Sequence, residues 1–349
     1  MAGNARNGGD LIAEALIAHG VRTVFCLAGT AHTHLLRALD ARGVRVIGCR
    51  HEANVVLAAD GYARVSGNTG VALIKNDQGL PNALTGICTA NAACSPVVVL
   101  SSFSPRSSIE AGGDFHEPSL AMAEPACKWA RTVPAPERLG EFVAAAFRQA
   151  GQGRPGVALL GMYQEMQGAE VPADAPVPVA PPPASPRPDP SDIARLADMV
   201  VQAERPLILA GGGAARARAG PALTRLAGAH GVPVFGNSLG RGLVPEDGAR
   251  GWSWPFAQPA ARRADLVIAA GIRMTQRLGY GLAPRFAPDA AFVQIDVHAE
   301  EMGRNRPVDL ALHADASAAL AALADALDAR GAASKSTGWV AEALAARTA

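Results

Sequence analysis

The sequence predicts two α/β domains, each built on a parallel β-sheet whose two faces are covered by helices. Strand and helix patterns alternate across residues 10–168 and again across residues 206–327, as they do where helices connect parallel strands. Between these regions, residues 172–190 hold nine prolines, which can form neither a helix nor a central strand. The expected division is a first domain at residues 1–170, a linker at 171–190, a second domain at 191–330 and a C-terminal tail at 331–349.

The first domain is expected to begin with a helix at residues 10–19. Gly20 ends this helix, because glycine readily adopts the left-handed conformation that closes a helix. A second helix, which runs to Leu39, follows the first strand and the turn Ala28-Gly29-Thr30. Short apolar runs bounded by turn residues are typical of buried parallel strands. We expect five of them, at residues 23–27, 44–49, 71–75, 97–101 and 157–160.

The second domain repeats the pattern. A strand is followed by Gly211-Gly212-Gly213 and then by a helix to His230. Alanine-rich helical sequence runs from residue 316 to Leu327, and an amphipathic stretch ends the chain. The strands are expected at residues 206–210, 232–235, 266–270 and 292–296.

Composition narrows the class of protein. The chain has 349 residues, enough for two full cores, and a net charge of +1, which gives no sign of a nucleic-acid or membrane partner. No apolar run reaches the roughly 18 residues of a membrane span, and the N-terminus lacks a signal-peptide pattern. The five cysteines form no CxxC pair and no metal-ligand cluster. We therefore expect a cytoplasmic protein with reduced thiols and no metal site of its own.

A single carboxylate, Glu52, stands out at the expected carboxyl edge of the first sheet. It follows the strand at 44–49 and opens a helix, and ligands of open α/β folds bind at this edge. A glutamate in the first turn is also explained by the helix dipole alone. Four strands end in polar or glycine-rich loops, which suit a binding site and ordinary turns alike. These loops are Ala28-Gly29-Thr30, His51-Glu52, Asn76-Asp77-Gln78-Gly79 and Ser102-Phe103-Ser104-Pro105.

Two short sequence motifs around Glu52 resemble those of a known family. RHE at residues 50–52 and ADGYAR at 59–64 resemble the pyrimidine-binding domain of thiamine diphosphate enzymes, such as acetolactate synthase and the 2-oxo acid decarboxylases. RPLILAGGG and IDVHAEEMGRN resemble the central domain of the same family. The chain departs from the family at Ala28, which replaces a proline, and at residues 77–82, where a glycine-proline-glycine loop is degraded. These departures concern the substrate pocket rather than the fold.

The resemblance implies a flavodoxin-like first domain, a Rossmann-like, transhydrogenase-type second domain, and a lyase or transferase that decarboxylates or carboligates a 2-oxo acid. Glu52 would activate the aminopyrimidine ring of thiamine diphosphate. The residues implied to contact the cofactor are Gly29, Glu52, Gln78, Gly79 and Asn82. Those implied to face the substrate are Thr30, Phe115 and His116.

The family's third domain carries a Gly-Asp-Gly motif and a downstream asparagine, which bind Mg²⁺ and the diphosphate. This sequence has no such motif. We therefore expect a second subunit to hold the diphosphate and Mg²⁺, in a heterotetramer with two copies of each chain. A trimmed gene product is the other explanation.

The second domain leaves an alternative open. Gly211 and Gly213 follow a strand, but Arg216 takes the third glycine position and no acid ends the strand at 232–235, which argues against NAD. Some relatives bind FAD or ADP here, and Asp296 is a candidate ribose ligand. A tight strand-to-helix turn explains the glycines equally well. A degenerate nucleotide- or flavin-binding regulatory subunit is thus the competing interpretation, although the presence of Glu52 favours an enzyme.

Overall fold

The computed structural model describes residues 6–75, 78–109, 111, 119–246, 250–254, 256–335 and 337–345. They form two compact units, Met1–Ala184 and Ser185–Ala349. The boundary lies inside the proline-rich segment, where residues 172–189 form neither helix nor strand. None of the described helices is both long and apolar enough to cross a membrane.

The first unit is a six-stranded parallel sheet with helices on both faces. Its strands are β1 (Thr23–Cys26), β2 (Arg45–Gly48), β3 (Gly70–Lys75), β4 (Val97–Phe103), β5 (Trp129–Thr132) and β6 (Val157–Tyr163). Its α-helices are α1 (Gly8–Ala18), α2 (Thr33–Ala41), α3 (Glu52–Ser66), α4 (Gly79–Ala92), α5 (Ser119–Ala123), α6 (Leu139–Gly151) and α7 (Gln164–Gly168). Short 3₁₀ turns lie at Thr30–His32, Arg106–Ser108, Glu124–Ala126 and Pro136–Arg138.

The strand order of the first sheet indicates where a ligand is expected to bind. The strands lie in the order β2-β1-β3-β4-β6-β5, so the chain reverses direction across the sheet between β1 and β3. Ligands of open α/β sheets bind outside the carboxyl ends of the strands at such a reversal. The loops after β1 and β3, which carry Gly29 and Gln78, therefore border the expected ligand position.

The helix ends follow from local chemistry. Asn7 and Asp10 form a capping box at the start of α1, which satisfies backbone N–H groups that have no partner within the helix. Gly20, after the end of α1, has a φ of 79°, as the sequence predicts. His51 caps α3 by accepting a hydrogen bond from Ala53 N–H at 3.1 Å, and Gly67 closes the helix with a φ of 76°.

The second unit contains another six-stranded parallel sheet, in the order β12-β11-β10-β7-β8-β9. This is the 3-2-1-4-5-6 order of the Rossmann fold, so the expected fold class is confirmed for both units. The strands are β7 (Pro206–Ala210), β8 (Val234–Gly236), β9 (Gly251–Ser253), β10 (Leu266–Ala270), β11 (Ala291–Asp296) and β12 (Leu310–His313). The helices are α8 (Pro190–Gln202), α9 (Gly212–Arg216), α10 (Gly220–Ala229), α11 (Gln258–Ala261), α12 (Ala316–Ala329) and α13 (Gly338–Ala345), with 3₁₀ turns at Ser238–Gly240, Gln276–Gly281 and Ala299–Glu301.

Three sequence-based expectations were wrong in detail. The single helix expected from Gly213 to His230 is two helices, because the chain turns between α9 and α10 with Arg218 at a φ of 56°. Strand β4 extends through Phe103, so Ser102 and Phe103 belong to the strand and not to the loop after it. The edge strands β5, β9 and β12 were not expected; each has only three or four residues.

Candidate active site

Glu52 lies where the first turns of two helices meet. It is the first residue of α3 and is half-buried. Its Oε2 accepts a hydrogen bond from Asn82 Nδ2 at 3.1 Å. A Cβ placed on Gly79, the first residue of α4, would lie 3.1 Å from Glu52 Oε1. Glu52, Gly79 and Asn82, three of the predicted cofactor residues, are therefore in contact at the carboxyl edge of the sheet.

Close packing of α3 on α4 fixes this arrangement. Gly86, one helical turn after Asn82, faces α3 so closely that a Cβ there would lie 2.8 Å from both the Ala53 carbonyl oxygen and Val56 Cβ. Only glycine leaves the space for this approach. The distance between Glu52 and Asn82 is therefore set by a glycine contact as well as by their own hydrogen bond.

The loop after β1 brings a second pair of predicted residues to the edge. Gly29 lies against the side chain of Lys75, whose Cδ would be 3.6 Å from a Cβ at Gly29. Thr30 is exposed, and its carbonyl accepts a hydrogen bond from Thr33 Oγ1 at 2.9 Å. Gln78, also exposed, directly precedes α4.

His32, which the sequence-based prediction missed, is buried beneath this loop. Its side chain is fully buried, and Gly29 N–H donates to its Nδ1 at 3.3 Å. Burial lowers the pKa of His32 to about 4, with a smaller contribution from the positive charge of Lys75. The Ile74 carbonyl favours the protonated ring, but it does not form a hydrogen bond of normal geometry with Nε2. His32 is therefore neutral near pH 7.

This pKa makes the stability of the first unit depend on pH. Between the ordinary His pKa of 6.5 and the folded value of about 4, the unfolded chain binds a proton at His32 that the folded chain does not. The free energy of unfolding should therefore fall as the pH is lowered through this window, by about 3 kcal/mol from this group. Urea unfolding at pH 7 and pH 4 should show a smaller decrease for His32→Asn than for the wild type. Equal decreases would contradict the prediction.

Two predicted substrate residues, Phe115 and His116, lie outside the described residues and remain predictions. The chain before them is anchored on β6 and α7. Arg106 N–H donates to Glu165 Oε1 at 3.3 Å, and the Arg106 guanidinium stacks 4.7 Å from the centroid of the Tyr163 ring. The start of this segment is therefore tied to the same edge of the sheet.

Metal ligands are not grouped in the part of the chain that the structure describes. There, no cluster of three or more His, Cys, Asp or Glu side chains is placed to hold a metal ion. Mg²⁺ prefers carboxylate, water and phosphate oxygens, and Glu52 is paired with an amide. The described residues thus fit a cofactor ring beside Glu52 but do not fit Mg²⁺.

The glycines of the second unit are explained by backbone packing. A Cβ on Gly211 would lie 2.4 Å from the Gly271 carbonyl oxygen, and one on Gly213 would lie 2.7 Å from Gly271 Cα. Gly213 N–H also donates to the Gly271 carbonyl at 2.9 Å. These contacts join the loops after β7 and β10, where the strand order reverses, and they require glycine whether or not a nucleotide binds.

Alanine at Gly211 should therefore destabilise the second unit. The new methyl group would meet the Gly271 carbonyl, and overpacking of this kind costs about 1–3 kcal/mol. Gly212→Ala is the matched control, because a Cβ there would lie 3.4 Å from Leu239, and its effect should stay within about 0.5 kcal/mol. Urea unfolding of the two variants measures the difference. Similar stabilities would show that backbone packing does not require glycine at 211.

Asp296, the candidate ribose ligand, ends β11 at the carboxyl edge of the second sheet. Its Oδ1 accepts a hydrogen bond from His298 N–H at 2.9 Å. This is a local turn contact, so the residue has a structural role there. Its binding role remains a prediction.

Comparisons with known proteins agree with the geometry of both units. Residues 6–123 match the thiamine pyrophosphate enzyme N-terminal TPP-binding domain, and residues 193–323 match the thiamine pyrophosphate enzyme central domain. The chain is 35% identical over 335 residues to a probable acetolactate synthase large subunit of Methanocaldococcus jannaschii, covering 92% of this chain and 56% of the relative.

Two other relatives differ in the reaction that their names state. Identity is 28% over 325 residues to oxalyl-CoA decarboxylase of Escherichia coli, covering 90% of this chain and 56% of the relative. It is 28% over 315 residues to 2-hydroxyacyl-CoA lyase 1 of Homo sapiens, covering 86% of this chain and 52% of the relative. The chain spans about half the length of the curated relatives it matches. On the two domain matches and these similarities, the chain belongs to the thiamine pyrophosphate enzyme family.

Proposed function

We propose that this chain supplies the pyrimidine-binding half of a thiamine diphosphate active site that acts on a 2-oxo acid by decarboxylation, carboligation or both. One observation carries the proposal. The Glu52 carboxylate is held at the carboxyl edge of the first sheet between Asn82 and Gly79, inside the region that matches the TPP-binding domain.

The surroundings of Glu52 fit the cofactor ring. Gly79 has no side chain to cover Oε1, and a Cβ there would come within 3.1 Å of this oxygen. Asn82 holds Oε2, so Oε1 is the atom that exchanges a proton with a ring nitrogen. When bound, thiamine diphosphate would supply the carbanion stabilisation that lets a 2-oxo acid release its carboxylate as CO₂, with the electron pair left on the former carbonyl carbon, which then takes a proton or adds to a second carbonyl. Glu52 acts as the general acid and base for the ring.

The substrate side of the site is formed by the loop after β1. Thr30 is exposed there, and the positive charge of Lys75 acts on the nearby His32. A cation near this loop suits the carboxylate of a 2-oxo acid. The family resemblance also assigns Phe115 and His116, which lie outside the described residues, to the substrate, and Gln78 directly precedes α4.

We propose that a second subunit with the diphosphate-binding domain supplies the half of the site that holds the diphosphate and Mg²⁺, in a heterotetramer with two copies of each chain. Among the described residues, no cluster of three or more His, Cys, Asp or Glu side chains is placed to hold the metal. The name of the archaeal relative, a large subunit, supports an assembly of unlike chains.

Titration of thiamine diphosphate and Mg²⁺ tests the proposal. The chain is titrated alone and together with a diphosphate-binding partner, and cofactor affinity and CO₂ release from 2-oxo acids are measured. Tight binding and turnover are expected only in the mixture. Micromolar binding with turnover by the chain alone would mean that its own residues hold the diphosphate.

A nucleotide- or flavin-binding regulatory chain is the competing function, favoured by the Rossmann strand order of the second unit. NAD is not expected, because Arg216 occupies the third glycine position. Absorption spectroscopy of the purified protein tests for bound FAD: the visible band of an oxidised flavin would support the regulatory chain. Release of NAD on denaturation would contradict the expectation for NAD.

A further inference from the structure

The buried side chain of His32 contacts the backbone of the loop after β1. The Thr30–His32 turn packs against α7, β4 and α2, and the His32 ring is fully buried. Gly29 N–H donates to His32 Nδ1 at 3.3 Å. Gly29 also lies against the aliphatic part of Lys75. The backbone at Gly29 is therefore in contact with two side chains.

The direction of this hydrogen bond fixes the state of the ring. Because Nδ1 accepts from an N–H, it carries no proton, and the proton of the neutral imidazole is on Nε2. Protonation of Nδ1 would point its N–H at the N–H of Gly29, and the hydrogen bond between them would be lost. Burial holds the ring neutral, and the positive charge of Lys75 acts in the same direction, whereas the Ile74 carbonyl acts in the opposite one. On α7 and β4, which pack against the turn, Gln167 donates a hydrogen bond to Ser102, and both side chains are uncharged.

We propose that His32 is a positioning residue: its neutral ring, protonated on Nε2, accepts from Gly29 N–H and so holds Gly29 and Thr30 in place at the carboxyl edge. Its effect on substrate binding rests on the proposed function, in which Thr30 faces the 2-oxo acid. Glu52 is held by different contacts, with Asn82 and Gly79. Loss of the His32 contact should therefore raise the KM for the 2-oxo acid more than it lowers kcat.

Ring-nitrogen NMR tests the proposed state without any cofactor or partner. The chain is labelled with ¹⁵N-histidine, and the His32 signals are assigned by their loss in His32→Asn. We expect an unprotonated Nδ1 and a protonated Nε2, unchanged between about pH 8 and pH 6. A proton on Nδ1, or titration of the ring within this range, would overturn the proposal even if the enzyme assignment is correct.

A pair of variants tests the positioning role. Asparagine can place an amide oxygen near the position of Nδ1, whereas leucine has similar bulk but no acceptor. His32→Leu should raise the KM of the assembled enzyme about tenfold, as expected for loss of one hydrogen bond, and should speed hydrogen exchange at Gly29 N–H. His32→Asn should stay close to the wild type in both. Equal effects of the two variants would overturn the positioning role. If no assembly turns over a 2-oxo acid, the exchange rates still decide it.

Discussion

Replacing Glu52 with glutamine should remove most thiamine diphosphate-dependent turnover, by a factor of about 10² to 10⁴, while both units stay folded. Glutamine keeps the size of the side chain, and its amide oxygen can still accept the hydrogen bond from Asn82 Nδ2. What it loses is the ionisable carboxyl group, which we propose exchanges a proton with the cofactor ring. The loss should therefore appear in kcat, measured in the assembled enzyme, and not in the unfolding curve of the chain.

Glu137→Gln is the matched control for this variant. Glu137 is also in a first helical turn, at Pro136–Arg138, and is exposed. Its replacement should leave turnover unchanged, since a charge in a first turn contributes only to local stability. Turnover of Glu52→Gln equal to that of the control would remove Glu52 from the proposed mechanism.

The sequence predicted the central strands well because their residues are buried on both faces. β7 and β10 are continuous apolar runs, and β3 and β4 contain such runs at residues 71–74 and 97–100. Runs of this kind identify parallel strands without help from distant contacts. Strand β5 was missed for the opposite reason. It is a four-residue edge strand in which Ala130 is buried and Arg131 is exposed, and so short a pattern does not distinguish a strand from a loop.

The candidate site was only partly predictable. The position of Glu52 follows from the strand before it, but its contact with Asn82 joins residues 30 positions apart and depends on the approach of α3 to α4. His32 shows the limit more clearly. It lies in a polar stretch, Thr30 to His34, that indicates an exposed turn. The turn that contains it packs against α7 and β4 as well as α2, and α7 and β4 lie far away in the sequence, so the polar local pattern did not indicate its burial. The one available signal was its position two residues after Thr30, which the family resemblance implies to face the substrate.

Replacing Gly86 with alanine should lower turnover about 10²-fold, because displacing a reacting group by about 1 Å can have an effect of this size. The added methyl group would lie 2.8 Å from the Ala53 carbonyl oxygen and from Val56 Cβ, and a backbone oxygen cannot turn away as a flexible side chain can. Helix α4 must then move away from α3, carrying Asn82 away from Glu52. Overpacking should also lower the free energy of unfolding of the first unit by about 1–3 kcal/mol.

Gly61→Ala separates this packing effect from the general effect of alanine in a helix. Gly61 lies within α3, and nothing is within 4 Å of the position of its Cβ. Alanine there should stabilise the isolated chain by about 0.4–1 kcal/mol, because it restricts the unfolded chain. The two glycine variants should thus change stability in opposite directions in urea unfolding. If Gly86→Ala were as stable as Gly61→Ala and kept full turnover, the α3–α4 contact would not be what sets the distance between Asn82 and Glu52.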